Sequence, residues 1–250
     1  MSIELGDARS LASSLVLWIL ASIVLLSFVE RFVHRVLMHR RTLPAALYQY
    51  LAFLDDYQQA HAVLHHRKYY RQFDFEPDPV GREIDLRLGP YTAVRLYAGV
   101  FPMVLALAMV DLLGAAVFSV VAVAYMYSWG LIHREMHVPT SRVLKKFAMY
   151  RFLARYHYLH HRYPRLNFNL LNPLADFLLG TVARPMPCDI REMLRLGYLN
   201  PRHVRTLQRL GRRKECVELP ARNGCCPKMV RARPHRRRKI KQATQLKGNR

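Results

Sequence analysis

The sequence predicts an all-α protein: a polytopic membrane helical bundle of about three spans plus interfacial helices, with a cytoplasmic helical cap. Three observations predict it. Long uncharged apolar runs punctuate the first half of the chain. Basic residues collect between and after those runs. Ten of the twelve histidines fall into four tight clusters, two of which begin at the ends of runs.

The first run, Ser10 to Val29, is twenty residues without a charge, about the length that crosses a bilayer as a helix. It is not patterned as a signal peptide, because Glu4 and Asp7 face a lone Arg9 where a basic start is required and no small-residue cleavage site follows. Leu43 to Leu54 is uncharged but too short to span, and reads as an interfacial or re-entrant helix. Residues 71–90 contain three prolines and two glycines and read as a loop. Leu96 to Val110 reaches spanning length only if the helix starts near Tyr91 and Arg95 snorkels to the interface. Leu112 to Ile132 is a third uncharged run, and Asp111 with Gly114 marks a tight turn before it. The stretch 91–132 is therefore expected to be a helical hairpin, kinked in its first arm by Pro102. Tyr150 to His161 has helical periodicity with basic residues on one side.

The chain carries 39 basic and 17 acidic side chains, a formal net charge of +22, with 52% apolar residues. Residues 201–250 hold 17 of the basic and only 2 of the acidic side chains, so the charge belongs mostly to a tail behind an apolar body. That distribution excludes disorder of the whole chain and disfavours a soluble nucleic-acid binder. The segment 31–95 and everything after His133 are rich in Lys and Arg, whereas the N-terminal segment is not. The positive-inside rule then puts the N-terminus outside and both basic regions in the cytoplasm, which three spans allow. Runs such as Arg236-Arg237-Arg238-Lys239 suit anionic lipid headgroups better than nucleic acid behind a membrane domain. Cys188, Cys216, Cys225 and Cys226 lack CxxC spacing and read as free thiols, with Cys225-Cys226 open to palmitoylation.

The histidine clusters are His34 and His39 in HRVLMH; His61, His65 and His66 in HAVLHH; His133 and His137 in HREMH; and His157, His160 and His161 in HYLHH. Helical spacing puts His157 with His160 and His161 on one face, His61 with His65, and His133 with His137. His66 lies about 100° round from His65 and is free to serve a second metal nearby. His34 and His39, five apart, converge only if the helix ends, unwinds or carries a π-bulge between them. Ten neutral imidazoles suit a borderline transition metal, and one ion takes four to six ligands, so ten imply a dinuclear site. Structural zinc is usually a closed four-ligand site, often with cysteines. HREMH is not the HExxH protease pattern, because Glu135 does not follow the first histidine.

The order and spacing of these four motifs resembles the histidine boxes of the fatty acid hydroxylase / sterol desaturase superfamily. Asn167-Phe168-Asn169 through Asp176, Leu179, Gly180 and Thr181 resembles that family's ending, although Asn169 stands where glycine is usual and Leu179 where an aromatic is common. The resemblance covers about residues 12–182. It implies a membrane-embedded catalytic domain over 1–182, followed by a basic cytoplasmic tail, 183–250, expected to be largely disordered. It also implies a non-haem diiron oxidoreductase with the ten clustered histidines as ligands to two Fe ions (Zn being possible in isolated protein), and O2 as co-substrate. The reaction would be hydroxylation of a membrane lipid, a fatty acyl or sphingolipid chain, or desaturation by the same site. A metal-binding membrane protein without oxidation chemistry is the alternative of another class. Electrons would come from a separate cytochrome b5-like or ferredoxin-like protein, and the setting would be a bacterial inner membrane or the endoplasmic reticulum.

Among other residues, Glu30 precedes His34 by four, and Asp176 lies near the fourth cluster. Each is expected either to orient an imidazole through its second nitrogen or to serve structure alone, Glu30 by pairing with Arg31 or Arg35 and Asp176 by capping a helix. Asp55 and Asp56 read as solvated. Tyr125, Tyr127 and Trp129 read as a membrane-interface belt, with the lining of a substrate tunnel second.

Overall fold

The structure is a computed structural model that describes residues 2–51, 53–70, 73, 90–201 and 204. The described residues contain helices and turns and no strand. Helix α1, Ser2–Phe32, continues without a break into a π-helical turn, Val33–Met38. Two short helices follow, α2 (Ala45–Tyr50) and α3 (Phe53–Gln58), and α3 runs into a second π-helical segment, Gln59–Tyr69. Next come α4 (Pro90–Ala108), α5 (Leu112–His137), α6 (Ala148–Arg162), α7 (Leu174–Leu178) and α8 (Pro187–Arg195).

Two stretches, Ser10–Met38 and Leu112–His137, are long and apolar enough to cross a membrane. The third run is shorter: the apolar part of α4, Val94–Ala108, falls below the usual spanning length of about 20 residues. Helix α4 does begin at Pro90, ahead of Arg95, and Pro102 sits inside it without ending it. Helices α1, α4 and α5 share a core of Leu26, Val100, Phe118 and Ala122.

The α4–α5 corner is tighter than a turn motif alone requires. The Asp111 carboxylate caps α5 by accepting from the Leu113 N–H, and it also accepts from Trp18 Nε1 at 2.6 Å. Gly114 lies against that indole, and a Cβ there would run into the Trp18 ring. The corner and α1 are thus fastened to each other at the end of the bundle away from the histidines.

At the histidine end, a second core gathers Trp129 and Met136 of α5, Tyr150, Leu153, Ala154 and Tyr158 of α6, and Met193, Leu196 and Tyr198 from α8 and just beyond. Folded structure therefore extends past residue 182. Buried Asp189 accepts from Tyr163 Oη at 2.8 Å and lies 3.3 Å from Arg162 Nε, tying α8 to α6. The first stretch of the expected disordered tail thus belongs to the cap, because its apolar residues cover α6. The basic runs after residue 204, three of the cysteines, and His203 and His235 lie outside the described residues. Cys188 is a free thiol.

Candidate metal centre

The site begins with two π-helical turns. In a π-helix, hydrogen bonds run from i to i+5, so residues five apart share a face. The turn Val33–Met38 brings His34 and His39 together, with their ring centroids 5.0 Å apart. The segment Gln59–Tyr69 does the same for His61 and His66, whose Nε2 atoms lie 3.1 Å apart. His61 and His65 share a face as their spacing predicts, with ring centroids 5.0 Å apart. The wider turn gives His61 the partner five residues on, and His65 joins the other group.

The ten clustered histidines form two groups of five. One holds His34, His39, His61, His66 and His160; the other holds His65, His133, His137, His157 and His161. Within each group one ring nitrogen from every residue lies within 4.8 Å of all the others. The trio on α6 is split, with His157 and His161, four apart, in the second group and His160 in the first. The groups adjoin, the His66 and His161 rings stacking at a centroid distance of 4.0 Å. Eight of the ten are buried, and His39 and His161 are half-buried.

Backbone carbonyls fix the tautomers. His34 Nδ1 donates to the Phe168 carbonyl, His160 Nδ1 to the Leu166 carbonyl at 2.8 Å, and His137 Nδ1 to the Phe73 carbonyl. Each of these rings then turns a bare Nε2 lone pair toward its group. Two acceptor positions depend on residues in the left-handed backbone region, Asn167 (φ 55°) and Phe73 (φ 75°). Asn167 is held there by its side chain, which donates to the Tyr156 carbonyl and accepts from the Ala183 N–H.

The donor set fits two transition-metal ions. Nε2 atoms approach at 2.8 Å (His34–His61 and His39–His160), 3.0 Å (His137–His157) and 3.2 Å (His65–His161). Adjacent ligands at right angles on metal–nitrogen bonds of about 2.1 Å would stand about 3 Å apart. Both ring nitrogens of His133 and Nδ1 of His65, His66, His157 and His161 are buried with no hydrogen-bond partner among the described residues. Each unsatisfied buried polar group costs about 1–3 kcal/mol; a cation in the second group would relieve one nitrogen of His133, whereas the four Nδ1 atoms lie on the ring edges away from the Nε2 atoms that meet within the groups.

Burial also sets the charge state. It pushes the imidazolium pKa of His61, His65, His66, His157, His160 and His161 well below its ordinary value, and the surrounding imidazoles push the same way. His39 is lowered for the same two reasons, with Arg40 and Arg67 adding to them. Neutral imidazole is the form that binds metal.

Glu30 and Asp176 hold the loop that orients the imidazoles. Glu30 is buried and accepts from Tyr125 Oη at 2.6 Å, from the Leu170 and Leu171 N–H groups, and from Asn169 Nδ2. The nitrogen of His34 expected to meet Glu30 goes to the Phe168 carbonyl instead, so Glu30 acts on His34 through the loop backbone. Asp176 is fully buried and accepts from Asn169 N, Tyr156 Oη and Thr181 Oγ1, with Arg31 Nε at 3.3 Å. Its partners are a loop and three side chains, so it neither touches a histidine nor caps a helix end. Glu135 binds the turn after α5 through Thr140 and Ser141. Asp55 pairs with exposed Arg41 at 3.0 Å, a contact of little energetic weight.

Two of the three expected belt residues point inward. Trp129 packs on His133 at 4.6 Å between centroids and Tyr125 binds Glu30, while Tyr127 remains 69% exposed. Trp129 and Tyr125, together with Leu26, Val29, Val33, Val100 and Ala122, line an apolar cavity that reaches Glu30 and His34.

Comparison with family models, curated proteins and solved structures returns no match for this chain.

Proposed function

We propose that this chain is an integral membrane, non-haem diiron oxidoreductase that hydroxylates an unactivated C–H bond in a membrane lipid, most simply along a fatty acyl chain. The observation that carries this reading is the pair of adjoining, buried five-imidazole groups at the ends of two long apolar helices, with an apolar cavity running up to His34. Leu17, Leu20 and Val120 are more than half exposed. Such side chains are at home in hydrocarbon and costly in water, which favours a bilayer over a soluble bundle.

The ten histidines would hold two irons, five imidazoles to each. When bound, the irons supply activation of dioxygen, the chemistry that an inert C–H bond requires. The net reaction places one oxygen atom in the product alcohol and releases the other as water, consuming two electrons and two protons. The chain's own part is positional. The carbonyls of Phe73, Leu166 and Phe168 fix ring orientation, and the Glu30–Asn169–Asp176 network keeps that loop in place. Leu26, Val29, Val100, Ala122 and Trp129 exclude water and guide an apolar chain toward His34.

In this reading α4 is a third span beside α1 and α5, the N-terminus is outside, and the metal-bearing end is cytoplasmic, in a bacterial inner membrane or the endoplasmic reticulum. Electrons come from a separate cytochrome b5-like or ferredoxin-like protein whose acidic face docks on the basic cap, where Arg142, Lys146, Arg165 and Arg191 are exposed. The basic C-terminal runs lie against anionic headgroups.

Lipid mass spectrometry on cells expressing the protein, against a His160→Ala/His161→Ala variant, tests the proposal. A gain of one oxygen on an acyl lipid, lost in the variant, is the expected result. Loss of two hydrogens instead would make the enzyme a desaturase. No difference, with iron and an electron donor supplied, would leave a metal-binding protein without oxidation chemistry.

A further inference from the structure

A second apolar space adjoins the cavity that reaches His34. It lies between α1 and α4, is the larger of the two at about 770 Å³, and is lined by Phe28, Phe32, Leu37, Phe53, Gly99 and Met103, with Arg95 at its edge. That volume is within the range that holds lipid- or drug-sized ligands, about 300–1,000 Å³. The two spaces share four wall residues, Val29 of α1, Val33 of the π-helical turn that follows it, and Leu96 and Val100 of α4. The inner one is narrow, about 70 Å³. It is less than a tenth of the outer space, so it suits a slender hydrocarbon chain and no headgroup.

One feature of the groove is polar and charged. Arg95 is exposed, and its guanidinium stands 5.4 Å from the Phe53 ring centroid. A cation set at the mouth of an apolar groove is complementary to an amphiphile with a negative head and a single hydrocarbon tail. Gly99, one helical turn further along α4, would place a Cβ in open space.

We infer that the α1–α4 groove is a lateral portal for a single-chain lipid with an anionic headgroup. The head pairs with Arg95, and the tail passes between Val29 and Val33 on one side and Leu96 and Val100 on the other to reach Trp129 and His34. The inference rests on the proposed oxygenase reading for its purpose, but the binding itself needs no iron.

The chain has two tryptophans, and only Trp129 lines the cavity. In detergent, metal-free protein is titrated with a fatty acid brominated along its chain, and quenching of tryptophan emission is followed. Saturable quenching is expected in the full chain and in Trp18→Phe, and loss of the saturable part in Trp129→Phe. Gly99→Phe adds a ring to the groove wall at a position where a Cβ meets no neighbour, and is expected to raise the half-saturating concentration at least tenfold. Arg95→Gln is expected to do the same for the brominated acid while leaving the matching brominated alcohol unchanged. A brominated lysophosphatidate titrated in parallel identifies the head as phosphate if it binds more tightly than the acid, and as carboxylate if less. Equal binding of acid and alcohol to the full chain would overturn the role of Arg95. Undiminished quenching in Gly99→Phe would overturn the portal. Saturable, Gly99-dependent binding in a protein that oxidises no lipid would leave the portal standing and remove the oxygenase reading.

Discussion

Asn167 occupies a left-handed backbone conformation that only glycine adopts freely, yet its side chain is spent on two backbone hydrogen bonds. Asn167→Gly keeps the conformation and loses the bonds; Asn167→Ala loses both. Thermal unfolding in detergent should rank them, with the alanine variant the less stable by about 1 kcal/mol from backbone strain alone. Glu30→Ala strands the Leu170 N–H and frees the loop that presents the Phe168 carbonyl to His34. Loss of a group that orients a metal ligand typically costs about 10–100-fold in affinity. Competition against a chelator should show a drop of that size, while Asp55→Ala, on the far side of a solvent-exposed ion pair, should leave affinity unchanged. The buried histidines also impose a pH dependence with a defined sign. Their folded-state pKa values are depressed, so the unfolded chain binds more protons below the ordinary histidine value of about 6.5. Stability and metal retention should be complete above about pH 6.5 and fall as the pH drops through it, as measured by metal release and unfolding across pH 7.5 to 5. A flat profile would contradict burial of neutral imidazoles.

At the scale of the element, Gly114 is the position where α5 meets Trp18. Gly114→Leu forces the indole away, removes its hydrogen bond to Asp111, and should destabilise the α1–α5 pair by about 1–3 kcal/mol. Adding Trp18→Ala should recover part of that loss, because space reappears where the leucine needs it. The elements also show which parts of the site were legible in advance. Histidine spacing identified all ten residues of the two groups, and the five-residue separation of His34 and His39 required a departure from α-helix that the structure supplies. The same separation holds between His61 and His66; helical spacing gave the shared face of His61 and His65 and the different destinations of His65 and His66, but not the π-helical turn that groups His61 with His66. Tyr125 and Trp129 were misplaced for a different reason. Helix α5 is apolar on nearly every side, so periodicity cannot tell which face looks inward. The carbonyls that orient His34, His137 and His160 belong to loop backbone, and side-chain pattern carries no trace of them.

Across the whole molecule, the proposed three-span arrangement makes a sidedness prediction. Val110 stands at the α4–α5 corner and is 82% exposed. In a background lacking other cysteines, Val110→Cys should react with an impermeant maleimide from the same side as the N-terminus, and a cysteine placed at exposed Lys146 from the other. Reaction of both from one side would remove α4 as a span. A last consequence follows from how the two groups of five are joined. His65 and His66 are neighbours in the chain yet belong to different groups, and so are His160 and His161. Two single peptide units therefore link the two groups mechanically. Seating the first ion freezes the backbone on which half of these four donors for the second are mounted, so that part of the ordering entropy is spent before the second ion arrives. Occupancy should then rise in one concerted step. Native mass spectra taken during an iron titration would be dominated by the empty and doubly filled protein, with the singly filled species scarce throughout.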